Sequence, residues 1–263
     1  MEVATTFETL QLTATGETAI VTINRPKAYN ALSDAVIQDL EAAFKQLETD
    51  ESVKGVILTG AGDKAFVAGA DITQFAGKTY EEAVLMSTSG QRLFQYIEDY
   101  PKPVVAAVNG FALGGGCELA MACHLRIASD NAQFGQPEVN LGLIAGYGGT
   151  QRLPRLIGKT KALELLLTAD QLAAADALQL GIVNYTVPPE ELLPKCEEVL
   201  TKIYSKGPLA VQLTIQAVNA GFDPQKSGYE IEAVNFARSV ISNDGMEGTQ
   251  AFLEKRKPNF SGN

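Results

Sequence analysis

Two carboxylates and two glycine-bearing turns carry the chemistry available to this sequence. In "GFALGGGCELAMACHL" (residues 110–125), three consecutive glycines, Gly114, Gly115 and Gly116, run directly into an apolar helical stretch that contains Glu118. Glycines surrender side-chain packing and let the backbone approach another group closely. A carboxylate among residues bound for a core is costly unless it has a partner or a task. Twenty residues later, "QFGQPEVNLGLIAGYGGTQRL" presents Glu138 after a proline and before further glycines. A second small-residue turn, "AFVAGADI" (65–72), resembles "ALGGGCEL" (112–119) in following a strand-like run.

Backbone N–H groups from both turns can point into one crevice at the C-terminal ends of neighbouring strands. In the second turn they also lie at a helix N-terminus, where negative charge is favoured. Two such donors form an oxyanion hole, in which one donor is worth ~10²–10³ in rate. Two carboxylates facing the same crevice can hold a water between them, one accepting a proton while the other supplies one. The residues taken alone also admit a plainer account: Glu118 half-exposed or paired with Arg126 or Arg152, and glycines that serve close packing only.

Other chemistries lack their parts. The chain has one histidine, His124, directly after the "CELAMAC" run, and no G-x-S-x-G turn, so a Ser-His-Asp or Cys-His triad is disfavoured and His124 reads as a structural group at a helix end. Zinc motifs need more histidines, and no metal site is expected. "GKT" occurs at Gly77 and Gly158, but Ile72 and Leu153 stand where a phosphate-binding loop requires glycine. "GAGDKA" from Gly60 satisfies a loose dinucleotide pattern yet leads into "FVAGADI" rather than a helix.

The elements that must position these groups are legible from periodicity. "FETLQLTA" and "AIVTINR", separated by "TGET", predict a hairpin. Ser33 caps a helix in which Val36, Leu40, Phe44 and Leu47 recur on one face. "VKGVILTG" and "VVAAVNG" are continuous apolar runs suited to buried parallel strands, with the helical "EEAVLMSTSGQRLFQYIEDY" and the breaker "PKP" between them. The alternation predicts an α/β fold with a mostly parallel sheet. From Pro188 onward four helices follow without a strand, which predicts two regions: 1–187 as a core carrying the site and 188–263 as a helical region that caps the core or joins subunits. Leu85, Met86 and Phe94 on the long middle helix fit either an acyl-lining stripe or plain core.

Bulk properties agree. The chain has 263 residues, 46% of them hydrophobic, enough for a substantial core. Thirty-one acidic against 21 basic residues give a net charge of −10, which disfavours nucleic acids and anionic membranes as partners. The N-terminus lacks a basic stretch followed by an apolar one, and no apolar run is long enough to span a bilayer, so a cytoplasmic protein is expected. Cys117, Cys123 and Cys196 match no zinc spacing and are expected as free thiols. The sequon at Asn259 has no meaning without secretion.

The ordered strings "NRPKAYNAL", "AFVAGADI", "PKPVVAAVNGFALGGGCELAMAC", "AQFGQPEVNLGLIAGYGGTQRLPRLIG" and "EGTQAFLEKRKPNF" resemble the crotonase (enoyl-CoA hydratase/isomerase) superfamily over nearly the whole chain, and within it the short-chain enoyl-CoA hydratases. The resemblance implies a spiral of repeated ββα units with a C-terminal helical region that packs trimers, commonly paired into hexamers. It implies reversible addition of water to a trans-2-enoyl-CoA, with no cofactor besides the coenzyme A that is part of the acyl-CoA thioester substrate. By the same resemblance Ala70 and Gly115 supply the oxyanion N–H groups, Glu118 positions and activates the water with its partner, Glu138 delivers a proton to the α-carbon, and Gly146 lies beside the water site. CoA contacts are implied for Lys27, Ala28, Ala68, Asp71 and Ile72, and for Lys257 and Phe260 reaching in from a neighbouring subunit. Ala145 and Tyr147 depart from the hydratase pattern, which has proline and a small residue there, and leave pocket shape and chain-length preference open. Competing activities are an enoyl-CoA isomerase, a decarboxylase, a hydratase of a branched enoyl-CoA, and a non-catalytic acyl-CoA-binding protein on the same fold; retention of both glutamates favours hydration.

Overall fold

The computed structural model describes residues 7–262. The first six residues, on which part of the N-terminal reading rests, and Asn263 lie outside it. The hairpin forms as read: β1 (Leu10–Thr15) pairs antiparallel with β2 (Thr18–Ile23), turning at Gly16 with φ of +59°. Helix α1 (Asp34–Thr49) starts where the sequence says, the Ser33 hydroxyl accepting from Val36 N, and buries Val36, Leu40, Phe44 and Leu47.

The chain then winds as a spiral. Strand β3 (Gly55–Gly60) is followed by a short strand β4 (Ala65–Val67) and helix α2 (Tyr80–Glu98); β5 (Val104–Val108) by β6 (Phe111–Leu113) and α3 (Gly115–Ala122); β7 (Leu125–Ser129) by β8 (Gln133–Gly135) and α4 (Gly149–Ile157). Then come α5 (Lys159–Thr168), β9 (Gln171–Ala173), α6 (Ala174–Gln179) and β10 (Tyr185–Val187). Two sheets result: a six-stranded one ordered β1-β2-β3-β5-β7-β10, parallel after the hairpin, and a four-stranded one ordered β4-β6-β8-β9. Each turn of the spiral contributes one strand to each sheet, so the same order recurs in both.

At the corners between sheets the backbones nearly touch. A Cβ on Gly60 would stand 2.3 Å from Phe66 O, and one on Gly110 would stand 2.3 Å from Lys64 O, so only glycine fits. The Asn109 side chain ties successive turns by donating to Gly60 O and Gly62 O at 2.9 and 2.8 Å.

The large sheet is covered on both faces, which is why β3 and β5 read as unbroken apolar runs. Val104, Ala106 and Val108 face the main core with Phe44, Phe94 and Tyr100, while Val105 and Ala107 face a second cluster with Leu192, Cys196 and Leu200 of α7 (Leu192–Tyr204). Helix α7 therefore lies on the sheet. The remaining helices, α8 (Pro208–Ala220), α9 (Gly228–Ile241) and α10 (Asn243–Leu253), leave Tyr229, Phe236, Ile241, Phe252 and Leu253 exposed. All three cysteines are buried and unpaired, and no described helix is long and apolar enough to cross a membrane.

Candidate active site

The two turns singled out in the sequence leave the C-terminal ends of β4 and β6, adjacent parallel strands of the smaller sheet. Leu32 bridges to the first turn: its N–H donates to Gly69 O and its carbonyl accepts from Asp71 N, so the N–H of Ala70 between them faces the other way. Gly114, with φ of +50° and ψ of −123°, caps α3 and delivers Gly115 as its first residue. The N–H groups of Ala70 and Gly115 meet no protein acceptor among the described residues. They are close neighbours, since a Cβ placed on Gly115 would be 3.5 Å from Ala70 N. Both line a cavity of about 590 Å³, together with Ala68, Ile72, Glu118, Glu138 and Gly146.

Glu118, one turn into α3, is 1% exposed. Its Oε1 accepts from Tyr147 N at 2.8 Å and from Gly149 N at 2.6 Å. The arginine pairing open at the sequence level does not form. Arg126 spends its donors on the carbonyls of Ile182 and Cys123, and Arg152 pairs with Glu98 at 2.7 Å while holding Tyr147 O at 3.0 Å. Burial pushes the Glu118 carboxyl up to about 7; the Gly149 N–H opposes the rise and the nearby Glu138 charge adds to it. Oε2 of Glu118 has no protein partner among the described residues and opens to the cavity.

Glu138 begins a short 3-10 turn (Glu138–Leu141) after Pro137. Burial raises its carboxyl above the usual range. The Gln136 amide, oriented with its nitrogen toward the carboxylate, donates to Oε1 and Oε2 at 3.1 and 3.2 Å. Gly114 matters here too: its φ of +50° with ψ of −123° strains any other residue, and a Cβ on it, 2.8 Å from Glu138 Oε1, would push the carboxylate aside. Burial thus raises the proton affinity of both carboxylates, which share one cavity. Such a pair can give and take protons across a bound molecule whose carbonyl sits on the two N–H groups.

The other residues named from the sequence fall in three places. Lys27 and Ala28 lie on the 3-10 turn Pro26–Ala28, whose next residue Tyr29 accepts from Ala68 N, so the turn abuts the cavity rim without lining it. Asp71 is held by Arg25 at 3.0 Å and by the Thr73 hydroxyl, fixing the loop rather than facing the cavity. Lys257 is exposed, and Phe260 is half-buried against Gly207 and Gly248, away from this chain's cavity. Of the middle-helix trio, Met86 lines the cavity, Leu85 is 61% exposed outside it, and Phe94 is core. His124 is structural, its Nδ1 accepting from Val104 N and its Nε2 donating to Glu98 O.

Sequence reasoning missed Gln136, the Tyr147 and Gly149 N–H groups, and a clamp from α2 in which Ser87 Oγ and Gln91 Nε2 donate to Gly146 O at 2.6 and 2.9 Å. The glycine density of "GYGGT" was the one available signal of close approach.

Comparison with known proteins agrees with the geometry. Residues 13–263 match the family described as enoyl-CoA hydratase/isomerase. The chain is 49% identical to a crotonyl-CoA hydratase of Syntrophomonas wolfei over 97% of this chain and 98% of that protein. It is 46% identical to a short-chain-enoyl-CoA hydratase of Clostridium acetobutylicum over 92% and 93%. Among solved structures, an enoyl-CoA hydratase from Bacillus anthracis superposes with a TM-score of 0.90 at 39% identity, covering 97% of this chain and all of that one.

Proposed function

The chain belongs to the enoyl-CoA hydratase/isomerase family, and we propose that it acts as a hydratase on short trans-2-enoyl-CoA thioesters, adding water across the double bond reversibly. The observation that carries this reading is the pair of carboxylates, Glu118 and Glu138, lining one cavity with two unclaimed backbone N–H groups.

The thioester oxygen accepts from Ala70 N and Gly115 N at the start of α3. These donors stabilise the enolate character that develops when the β-carbon is attacked. Glu118, its Oε1 fixed by Tyr147 and Gly149, uses Oε2 to hold the water and take its proton as the oxygen bonds to the β-carbon. Glu138 carries the second proton and gives it to the α-carbon. The net addition is one water, and proton exchange between the carboxyls through the cavity resets the pair. Because the cavity is preformed, binding energy from the CoA portion is available to position the alkene. The reading calls for no cofactor beyond the coenzyme A of the substrate.

The division into a spiral core (1–187) and a helical region (188–263) that assembles trimers or pairs of trimers is part of this proposal. It is supported by the exposed Phe236, Ile241 and Phe252 on α9 and α10. In such an assembly Lys257 and Phe260 approach a neighbour's CoA, Ala68 and Ile72 supply contacts within the cavity, Lys27 and Ala28 supply them at its rim, and Asp71, held by Arg25 and Thr73, keeps that loop in place.

The test is loss of the enoyl-thioester absorbance of crotonyl-CoA, with Glu138→Gln run beside the wild type. Rapid loss in the wild type alone supports the reading. No loss with acyl-CoA still bound transfers the site to an isomerase or a binding protein.

A further inference from the structure

The ring of Tyr147 lies where a helix residue has been reduced to a hydrogen. A Cβ on Gly90, in the middle of α2, would stand 2.4 Å from Tyr147 Cδ1, 2.5 Å from Cε1 and 2.8 Å from Cγ, so the ring rests flat on the α2 backbone. Its opposite edge faces Gly115, where a Cβ would be 3.3 Å from Tyr147 Cδ2, and Phe94 packs edge-on against it at 5.5 Å. Tyr147 is 6% exposed and still lines the cavity. The ring therefore spans the gap between α2 and the oxyanion turn. A glycine inside a helix costs about 0.5–1 kcal/mol relative to alanine, and its use here is to admit this ring.

The cavity has two ends. At one, Ile72, Leu141 and Ile144 are 57%, 60% and 77% exposed and form a mouth. At the other, Ala145 and Tyr147 are buried beside Glu118, whose Oε1 is held by the Tyr147 N–H. A thioester carbonyl on Ala70 and Gly115, with its alkene between the two carboxylates, directs the far end of the acyl chain toward the buried end.

Building on the hydratase reading, we propose that Tyr147, seated on Gly90, is the end wall of the acyl chamber and restricts the enzyme to acyl groups of about four carbons. The wall is the ring and not the hydroxyl, which bonds no protein group among the described residues. A rigid apolar wall rejects added methylenes steeply, since one misfitted methylene is worth ~10-fold or more in specificity.

The experiment measures kcat/KM for trans-2-enoyl-CoA substrates of four and eight carbons on the wild type, Tyr147→Ala and Tyr147→Phe. Binding of butyryl-CoA and octanoyl-CoA to the same proteins is measured by calorimetry. The expected result is a wild-type preference for the four-carbon chain of at least ~10², a rise of at least ~10-fold in the eight-to-four ratio in Tyr147→Ala, and a ratio kept near the wild-type value in Tyr147→Phe. Wild-type indifference to chain length overturns the proposal without need of any variant. So does a Tyr147→Ala loss that falls equally on both chain lengths, the mark of a merely structural ring. If no enoyl-CoA turns over, the hydratase reading fails separately, and a butyryl-over-octanoyl binding preference relieved by Tyr147→Ala still upholds the wall.

Discussion

Glu118→Gln separates the catalytic from the structural consequences of burying a carboxylate. The glutamine carbonyl can keep both hydrogen bonds that now reach Oε1 from Tyr147 N and Gly149 N, so the loop need not move. What disappears is the capacity to take a proton from water, and turnover of crotonyl-CoA should fall by ~10²–10⁴ with acyl-CoA binding largely retained. Stability should move the other way. The folded protein holds the Glu118 proton up to about pH 7, whereas the unfolded chain releases it near 4.5. For a carboxyl raised in this way, stability is fully present below pH 4.5 and is lost as pH rises through 7. A difference of 2.5 pH units corresponds to about 3 kcal/mol, most of which falls between pH 5 and 8. Urea denaturation at those two pH values should show Glu118→Gln gaining about 2–3 kcal/mol on the wild type as pH increases. A stability gap that is the same at both pH values, or a variant retaining more than a tenth of wild-type turnover, would refute the assignment.

Three further outcomes follow from single contacts. Gly114→Ala places a Cβ 2.8 Å from Glu138 Oε1 on a backbone with positive φ, and should lower kcat for crotonyl-CoA by ~10²; circular dichroism will show whether the fold survives. His124→Gln should leave turnover within ~3-fold and cost about 1–3 kcal/mol in denaturant titrations. Burial holds the wild-type imidazole down at about 4, so the wild type loses stability as pH falls from 6.5 toward 4, and the variant should lack that component. Phe236→Asp combined with Phe252→Asp puts charge on the exposed helical face proposed to join subunits and should reduce the particle mass measured by light scattering; an unchanged mass would refute that proposal for this face.

How much of this was legible depends on how local the cause is. Helix α1 announces itself through Ser33 and a 3.6-residue apolar period, and β5 through a five-residue apolar run, because cap and core face are encoded within the element. Strands β4, β6, β8 and β9 have three residues each, too few to show any period, and they exist because the spiral lays each turn against the last. The smaller sheet that aligns the two N–H donors thus left no mark in the periodicity, and only the family resemblance implied a second strand in each unit. The carboxylates were legible as types at suggestive positions, but the partners of Glu118 are main-chain groups 29 and 31 residues away, which have no side-chain signature. Arg152 illustrates the converse: it was a reasonable partner by charge, yet Glu98 takes it, and its contribution to the site is to hold Tyr147 O.

The arrangement around Glu118 also explains why the loop from Ala145 to Gly149 is so constrained. Two main-chain N–H groups, helped by the Arg152 charge, offset part of the rise that burial and the Glu138 charge impose and leave the carboxyl at about 7. A full ion pair with Arg152 would hold the group ionised throughout the neutral range and leave it a poor partner for proton exchange with Glu138. Removing the N–H groups would leave only the Arg152 charge against burial and raise the proton affinity further. The N–H geometry is held from outside, by Arg152 on Tyr147 O, by Ser87 and Gln91 on Gly146 O, and by the Tyr147 ring on Gly90. On this argument a change at Arg152, Ser87 or Gln91 acts through the proton affinity of Glu118. Ser87→Ala, which touches neither carboxylate, should therefore displace the pH profile of kcat/KM as well as lower its height. A profile lowered without displacement would show that the clamp on Gly146 serves stability alone.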